Sequence, residues 1–147
     1  MNVHPLIPLA LLQVTVCYAV ATILGLEPSV NIIISLITVI PVCILYVAIG
    51  LLCGSVLNDK QVGGICGALL TNLSAWLSGI WFDLELVGGV FKKVAYALPF
   101  VHAVEIERMV LSGEYNGILT HLGWVLGYAV VVSVIAILLF LRQMKKQ

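Results

Sequence analysis

Charge is what this sequence has least of. Only 10% of its 147 residues are Asp, Glu, Lys or Arg, against about 25% in an ordinary soluble domain. Four stretches, 6–26, 30–57, 62–82 and 118–141, contain none at all. A chain with so little polar surface is excluded from the water-soluble globular class. The formal net charge is zero, so no basic face exists to displace counterions from phosphates, and nucleic acid is excluded as a partner. Cys17, Cys43, Cys53 and Cys66 all lie inside the apolar stretches, with no CxxC or Cys–His spacing. They read as small apolar packing residues rather than metal or redox ligands. The Gly63-Gly64 pair is not followed by the GK[ST] of a phosphate loop, and no HExxH occurs. The chain therefore has no nucleotide site or metal site of its own that can be read from a motif.

What is present is hydrophobic length. Hydrophobic residues make up 62% of the chain. A helix rises about 1.5 Å per residue, so roughly 20 apolar residues cross a hydrocarbon core of about 30 Å. Each of the four uncharged stretches reaches that length. Lipid offers no hydrogen bonds to free backbone, which leaves helices or closed barrels. Barrel strands alternate apolar and polar residues, whereas LITVIPVCILYVAIGLL (36–52) is continuously apolar. The fold class expected is an all-α polytopic membrane bundle of four transmembrane helices, about 6–26, 30–57, 62–82 and 118–141. The first stretch lacks the basic segment that opens a signal peptide, since His4 and Pro5 precede it. It is read as a mature span.

The charged residues are unevenly placed. Asp83, Glu85, Lys92, Lys93, Glu105, Glu107, Arg108 and Glu114 fall within 83–117, and the other six sit at the ends of the apolar stretches. The tail containing Arg142, Lys145 and Lys146 reads as cytoplasmic under the positive-inside rule. Four spans then put both termini in the cytoplasm of a cell (plasma) membrane protein. The turn Asn58, Asp59, Lys60 and Gln61 faces inward and 83–117 faces outward. Within that outer segment, Val87, Val90, Phe91, Val94 and Leu98 keep helical spacing. Pro99 suits the first turn of a second helix, and Ser112-Gly113 supplies its stop. Two short re-entrant or interfacial helices are expected on the outer side, too short and too charged to span.

Small residues recur at four-residue spacing at Gly50/Gly54, Gly63/Gly67 and Gly123/Gly127. This pattern lets helix backbones approach closely in lipid, within a bundle or between copies. Trp76, Trp81, Tyr96, Tyr115 and Trp124 flank the outer segment, as an interfacial belt requires. Polar groups within the apolar stretches are mild, and only His121 among them ionises, close to one end. That argues against an ion-coupled carrier. Ser74 and Ser78 have no base nearby in sequence, and Glu105 with Arg108, three apart, read as an ion pair on one helix face. A membrane enzyme built on His102 and Glu105 has too few partners at suitable spacing.

The order of segments from Gly50 onward carries a resemblance. GLLCGSVLNDKQVGGICGAL (50–69) is a span end, a short polar turn and a Gly-Gly start to the next span. LSGIWFDLEL (77–86) ends that span, and VAYALPFVHAVEIER (94–108) follows before a last span and a basic tail. This order resembles the carboxy-terminal part of permease subunits of ATP-binding cassette exporters of the second type. The resemblance implies a separate ATPase subunit that binds the ATP, a homo- or heterodimer of permeases around the substrate path, and no cofactor on this chain. It further implies that 83–117 closes the outer mouth of that path. Ser78, Gly79 and Pro99 would shape the re-entry, Glu105 and Arg108 would lie on the second gate helix, and Asn58–Gln61 would face the ATPase. The family usually has Pro where Asp83 stands, and a second Pro near Gly88-Gly89. It also has six spans, so the chain is expected to be an incomplete six-span permease. The alternative reading is a non-transporting membrane scaffold held by its glycine faces.

Overall fold

The computed structural model describes residues 6–144; His4, Lys145 and Lys146, named above, lie outside them. Among the described residues the chain is helical throughout, with no strand. Helices α1 (Leu6–Ile23), α2 (Val30–Val56) and α8 (Ile118–Met144) are the long ones. Among the described residues, three helices are long and apolar enough to cross a membrane: Leu6–Ile23, Val30–Val56 and Ile118–Arg142. The bounds follow the uncharged stretches because nothing inside them breaks a helix. Pro41 lies within α2, and the helix continues through it.

The third apolar stretch differs from the single span expected at 62–82. It is a composite of α3 (Asp59–Gly64), a π-helical segment (Ile65–Leu70) and α4 (Thr71–Leu77). A π turn shifts the backbone register from i→i+4 to i→i+5 and leaves carbonyls to satisfy. Thr71 Oγ1 donates to the Cys66 carbonyl at 3.1 Å, and Asn72 Nδ2 to that of Ala68 at 2.7 Å. The helix ends at Leu77, short of Phe82, because Gly79 takes the left-handed conformation, φ +73.

The outer segment folds as three short helices, α5 (Leu84–Val87), α6 (Gly89–Ala97) and α7 (Pro99–Ser112). Asp83 opens α5, its side chain accepting from the Glu85 amide at 2.9 Å, a capping role that Pro could not perform. Gly88 and Gly89 both have positive φ and turn the chain into α6. Leu98 is extended, as the residue before a proline prefers, and Pro99 sits in the first turn of α7. Gly113, at φ +76, ends α7 in the left-handed cap expected of Ser112-Gly113.

The core forms where α2, α7 and α8 meet. Leu45, Ala103, Ile106, Val110, Val125 and Ala129 are buried together. A second cluster joins Leu77, Leu84, Ala95, Phe100 and Val101 under the outer segment. Close approach in lipid favours small residues, and Ala48, Ala103, Ala129, Ala136 and Ser35 fill that role. The glycine pairs do not. A Cβ built at Gly50, Gly54, Gly63, Gly67, Gly123 or Gly127 meets nothing within 4 Å, so these glycines face away from packing inside the chain.

Helix α7 lies antiparallel along the N-terminal two-thirds of α2. At the end of α7, Asn31 Nδ2 reaches the Leu111 carbonyl at 3.5 Å, and Tyr115 donates to Asn31 at 2.9 Å. At its start, Phe100 packs on Tyr46, ring centroids 6.2 Å apart. The contacts therefore run over 15 positions of α2, about 22 Å of helix axis.

Candidate functional site

Of the expected gate residues, Ser78, Gly79, Glu105 and Arg108 line one common recess, while Pro99 sits in the first turn of α7. Gly79 is confined by its backbone: besides its positive φ, an added Cβ would stand 3.2 Å from Cγ of Leu84. Its carbonyl accepts from Arg108 Nη2 at 3.0 Å, and Arg108 Nη1 meets Glu105 at 3.1 Å. Arg108 thus joins the turn after α4 to the outer face of α7, and the ion pair expected at 105/108 is present. Ser78 is buried beside this turn, its hydroxyl donating to the Ala75 carbonyl at 2.9 Å. Ser74 likewise returns to the Thr71 carbonyl. Both hydroxyls serve their own helix rather than a reaction. Nearer solvent, Lys92 pairs with Glu85 at 2.5 Å, and Glu85 holds the exposed ammonium above its usual pKa range.

The residues expected in a cytoplasmic turn, Asn58–Gln61, lie where α3 begins. The Asn58 amide donates to Gln61 Oε1 at 3.2 Å, tying the turn back on itself. Lys60 is exposed. The five belt aromatics, Trp76, Trp81, Tyr96, Tyr115 and Trp124, are all exposed.

His102 is buried and fully engaged. One ring nitrogen lies 2.7 Å from Nδ1 of His121, the other 3.0 Å from the Tyr96 carbonyl. The carbonyl can only accept, so Nε2 of His102 carries a hydrogen, and in the neutral ring Nδ1 accepts from His121. The His102 ring stacks on Trp124 at 5.1 Å. Glu105 makes no hydrogen bond to it, and no group of three or more metal-binding side chains occurs among the described residues.

The residue that reasoning from sequence passed over is Glu107. One carboxylate oxygen accepts from Ser35 and from Tyr18, the latter at 3.5 Å, and the other accepts from Thr38 at 3.0 Å. Tyr18 and Ser35 are also hydrogen-bonded to each other. A charge counted as part of the outer loop thus reaches hydroxyls of α1 and α2. Thr38 lies eight residues into α2, about 12 Å along the helix from its N-terminal end. Burial pushes the Glu107 carboxyl above its usual pKa, while the Ser35, Thr38 and Tyr18 hydroxyls pull it back. A signal was available: Ala103, Ile106, Glu107 and Val110 share one helical face by spacing, and that face is the buried one.

Between α2, the π segment with α4, and α7 lies a partly open cavity of about 740 Å³. Its wall is mainly apolar and aromatic, with Val39, Val42, Tyr46 and Phe100 contributing. Glu107 and Arg108 stand in its lining. A shallower groove of about 630 Å³ runs along the outer face of α8, over Gly123, Trp124 and Gly127.

A family model described as ABC-2 family transporter protein matches residues 5–138. The chain belongs to that family. Comparison with curated proteins and with solved structures returns no match. Membership makes this ABC-2 chain a membrane transport component rather than a catalyst, and the three long apolar helices agree with a membrane setting.

Proposed function

We propose that this chain is the permease subunit of an ATP-driven export system. It would form the substrate path with a second permease copy and take its energy from a separate ATP-binding cassette ATPase. The observation that carries this reading is the family match over residues 5–138. The composite helix 59–77 would serve as a fourth span, its 19 residues covering about 28 Å. The α6–α7 pair would be the re-entrant gate. In support, α7 contacts α2 from Asn31 down to Tyr46, well below the outer end of that span. The hinge residues would be Gly79 and Pro99, with Arg108 and Glu105 holding the closed arrangement. Asn58, Asp59, Lys60 and Gln61 would face the ATPase on the cytoplasmic side of the plasma membrane, with both termini.

The open faces at Gly50/Gly54, Gly63/Gly67 and Gly123/Gly127 supply the surface for a second copy, homo- or heterodimeric. The test is co-purification with the cassette ATPase and reconstitution into liposomes. ATP-dependent solute movement is expected with both components and lost when this chain is omitted. Unchanged movement without it overturns the reading.

A further inference from the structure

Glu107 is an acid on the buried face of α7 that makes no ion pair among the described residues. Its three side-chain partners, Tyr18, Ser35 and Thr38, are neutral hydroxyls. The ion pairs among the described residues are Lys92–Glu85 and Arg108–Glu105. Arg108, its sequence neighbour, also stands in the cavity lining, but its guanidinium is committed to Glu105 and the Gly79 carbonyl. A carboxylate away from water is costly unless it is hydrogen-bonded and paired with an opposite charge. Here the hydrogen bonds are supplied and the opposite charge is not. Such residues in membrane proteins mark solute paths.

The space beside it specifies what the missing charge belongs to. Glu107 lines the cavity of about 740 Å³ between α2, the π segment with α4, and α7. That volume lies within the range that holds a drug-sized molecule. The wall beneath Glu107 is Val39, Val42, Ala103 and the Tyr46–Phe100 aromatic pair. These surfaces suit an apolar body, and aromatic faces attract positive charge. A carboxylate has about four acceptor positions, so three hydroxyl donors leave room for one more contact. A small hydrated ion would gain little from such a wall, and an anion would meet the Glu107 carboxylate while the one cation in the lining, Arg108, is already neutralised by Glu105.

We propose that this cavity binds a lipophilic organic cation, with Glu107 as its counter-ion. Its role as the exported solute rests on the permease reading above; the binding itself does not.

The test is equilibrium binding to the full chain in nanodiscs, without ATPase, using tetraphenylphosphonium and its anionic counterpart tetraphenylborate. The unsubstituted chain is expected to bind tetraphenylphosphonium saturably, and Glu107→Gln to bind it about tenfold more weakly or worse. Tetraphenylborate binding is expected to be no weaker in the variant. Equal tetraphenylphosphonium affinity in both proteins, or no saturable binding to the unsubstituted chain, overturns the proposal. Ala75→Trp fills the cavity from α4, away from the Glu107 hydroxyls, and is expected to block binding with the charge intact. Should Glu107→Gln fail to fold, this second variant decides, and unchanged binding overturns the proposal. Because the ATPase is absent, loss of binding here leaves the transport assay standing, and failure of transport leaves the binding result standing.

Discussion

Arg108 donates from Nη2 to the carbonyl of Gly79 at 3.0 Å, across 29 positions of sequence. The carbonyl is available because Gly79 has left its helix in a left-handed turn. The same turn brings Leu84 to 3.2 Å from where a Cβ would stand. Gly79→Ala therefore meets two obstacles, a backbone conformation costing about 1–2 kcal/mol for an L side chain and a neighbour that must move. The expected outcome is normal membrane insertion, a lowered melting temperature and impaired export. Normal export with an unchanged melt would remove Gly79 from the gate.

Pro99 acts differently. It opens α7 and keeps Leu98 extended, so α6 and α7 remain separate helices. Pro99→Ala leaves an ordinary residue at a first-turn position and permits Leu98 to become helical. A stability change of about 1 kcal/mol or less is expected, with a larger loss of export. The measurement pairs a melt with transport in liposomes. Equal export by the variant would show that the break between α6 and α7 has no part in gating.

Much of this architecture was legible before any coordinates, and the parts that were not share a cause. Uncharged length located α1, α2 and α8, and local chemistry located the α7 start at Pro99, its end at Gly113 and the Glu105–Arg108 pair. Each of these depends on residues within a turn or two of one another. The π segment was hidden because hydropathy records side chains, not backbone register, although Thr71 and Asn72 are the polar residues that register requires. The Glu107 contacts were hidden because they join positions 69, 72 and 89 apart. His102 sits beside His121 rather than Glu105 for the same reason: the partner lies on α8, across a tertiary contact that spacing on α7 does not report.

Glu107 also makes stability depend on pH with a definite sign. Burial raises its carboxyl above the ordinary value of 4.5, the hydroxyls opposing but not reversing the shift. The folded chain therefore holds this proton more tightly than the unfolded chain does. The resulting contribution is fully present below the ordinary value and is lost as pH rises through the raised one. The melting temperature in detergent is expected to fall as pH climbs through the window above 4.5, and Glu107→Gln is expected to remove that component. A bound organic cation favours the ionised form and should move the window downward. The same pH slope in the glutamine variant would assign the effect to another group.

The open glycine face of α8 separates two roles for small residues. Gly123 and Gly127 are exposed and meet nothing in their own chain, so a larger side chain there costs the monomer little. In a dimer packed on that face it would hold the backbones apart. Gly127→Leu is expected to leave the melt within about 0.5 kcal/mol and to shift the detergent-solubilised protein from dimer to monomer. Mass measurement in detergent reads the outcome. An unchanged dimer would assign the second copy to another face, Gly50/Gly54 or Gly63/Gly67.

Topology is the assumption under the gating argument, and two exposed positions test it. Leu86, on α5, is 86% exposed and belongs to the outer segment; Lys60 belongs to the turn before the composite helix. With four spans and cytoplasmic termini, these two positions lie on opposite sides of the membrane. If 59–77 does not cross, they lie on the same side. Leu86→Cys and Lys60→Cys, each in a background with Cys17, Cys43, Cys53 and Cys66 replaced, are read with a membrane-impermeant maleimide on intact cells. Labelling of Leu86→Cys from outside, with Lys60→Cys reacting only after permeabilisation, is expected. If both react from the same side, the composite helix is not a span. Where both react from outside, the turn at Gly79 keeps its outer position and the amino terminus lies outside; where both react only after permeabilisation, that turn lies on the face opposite to the one an outer gate requires.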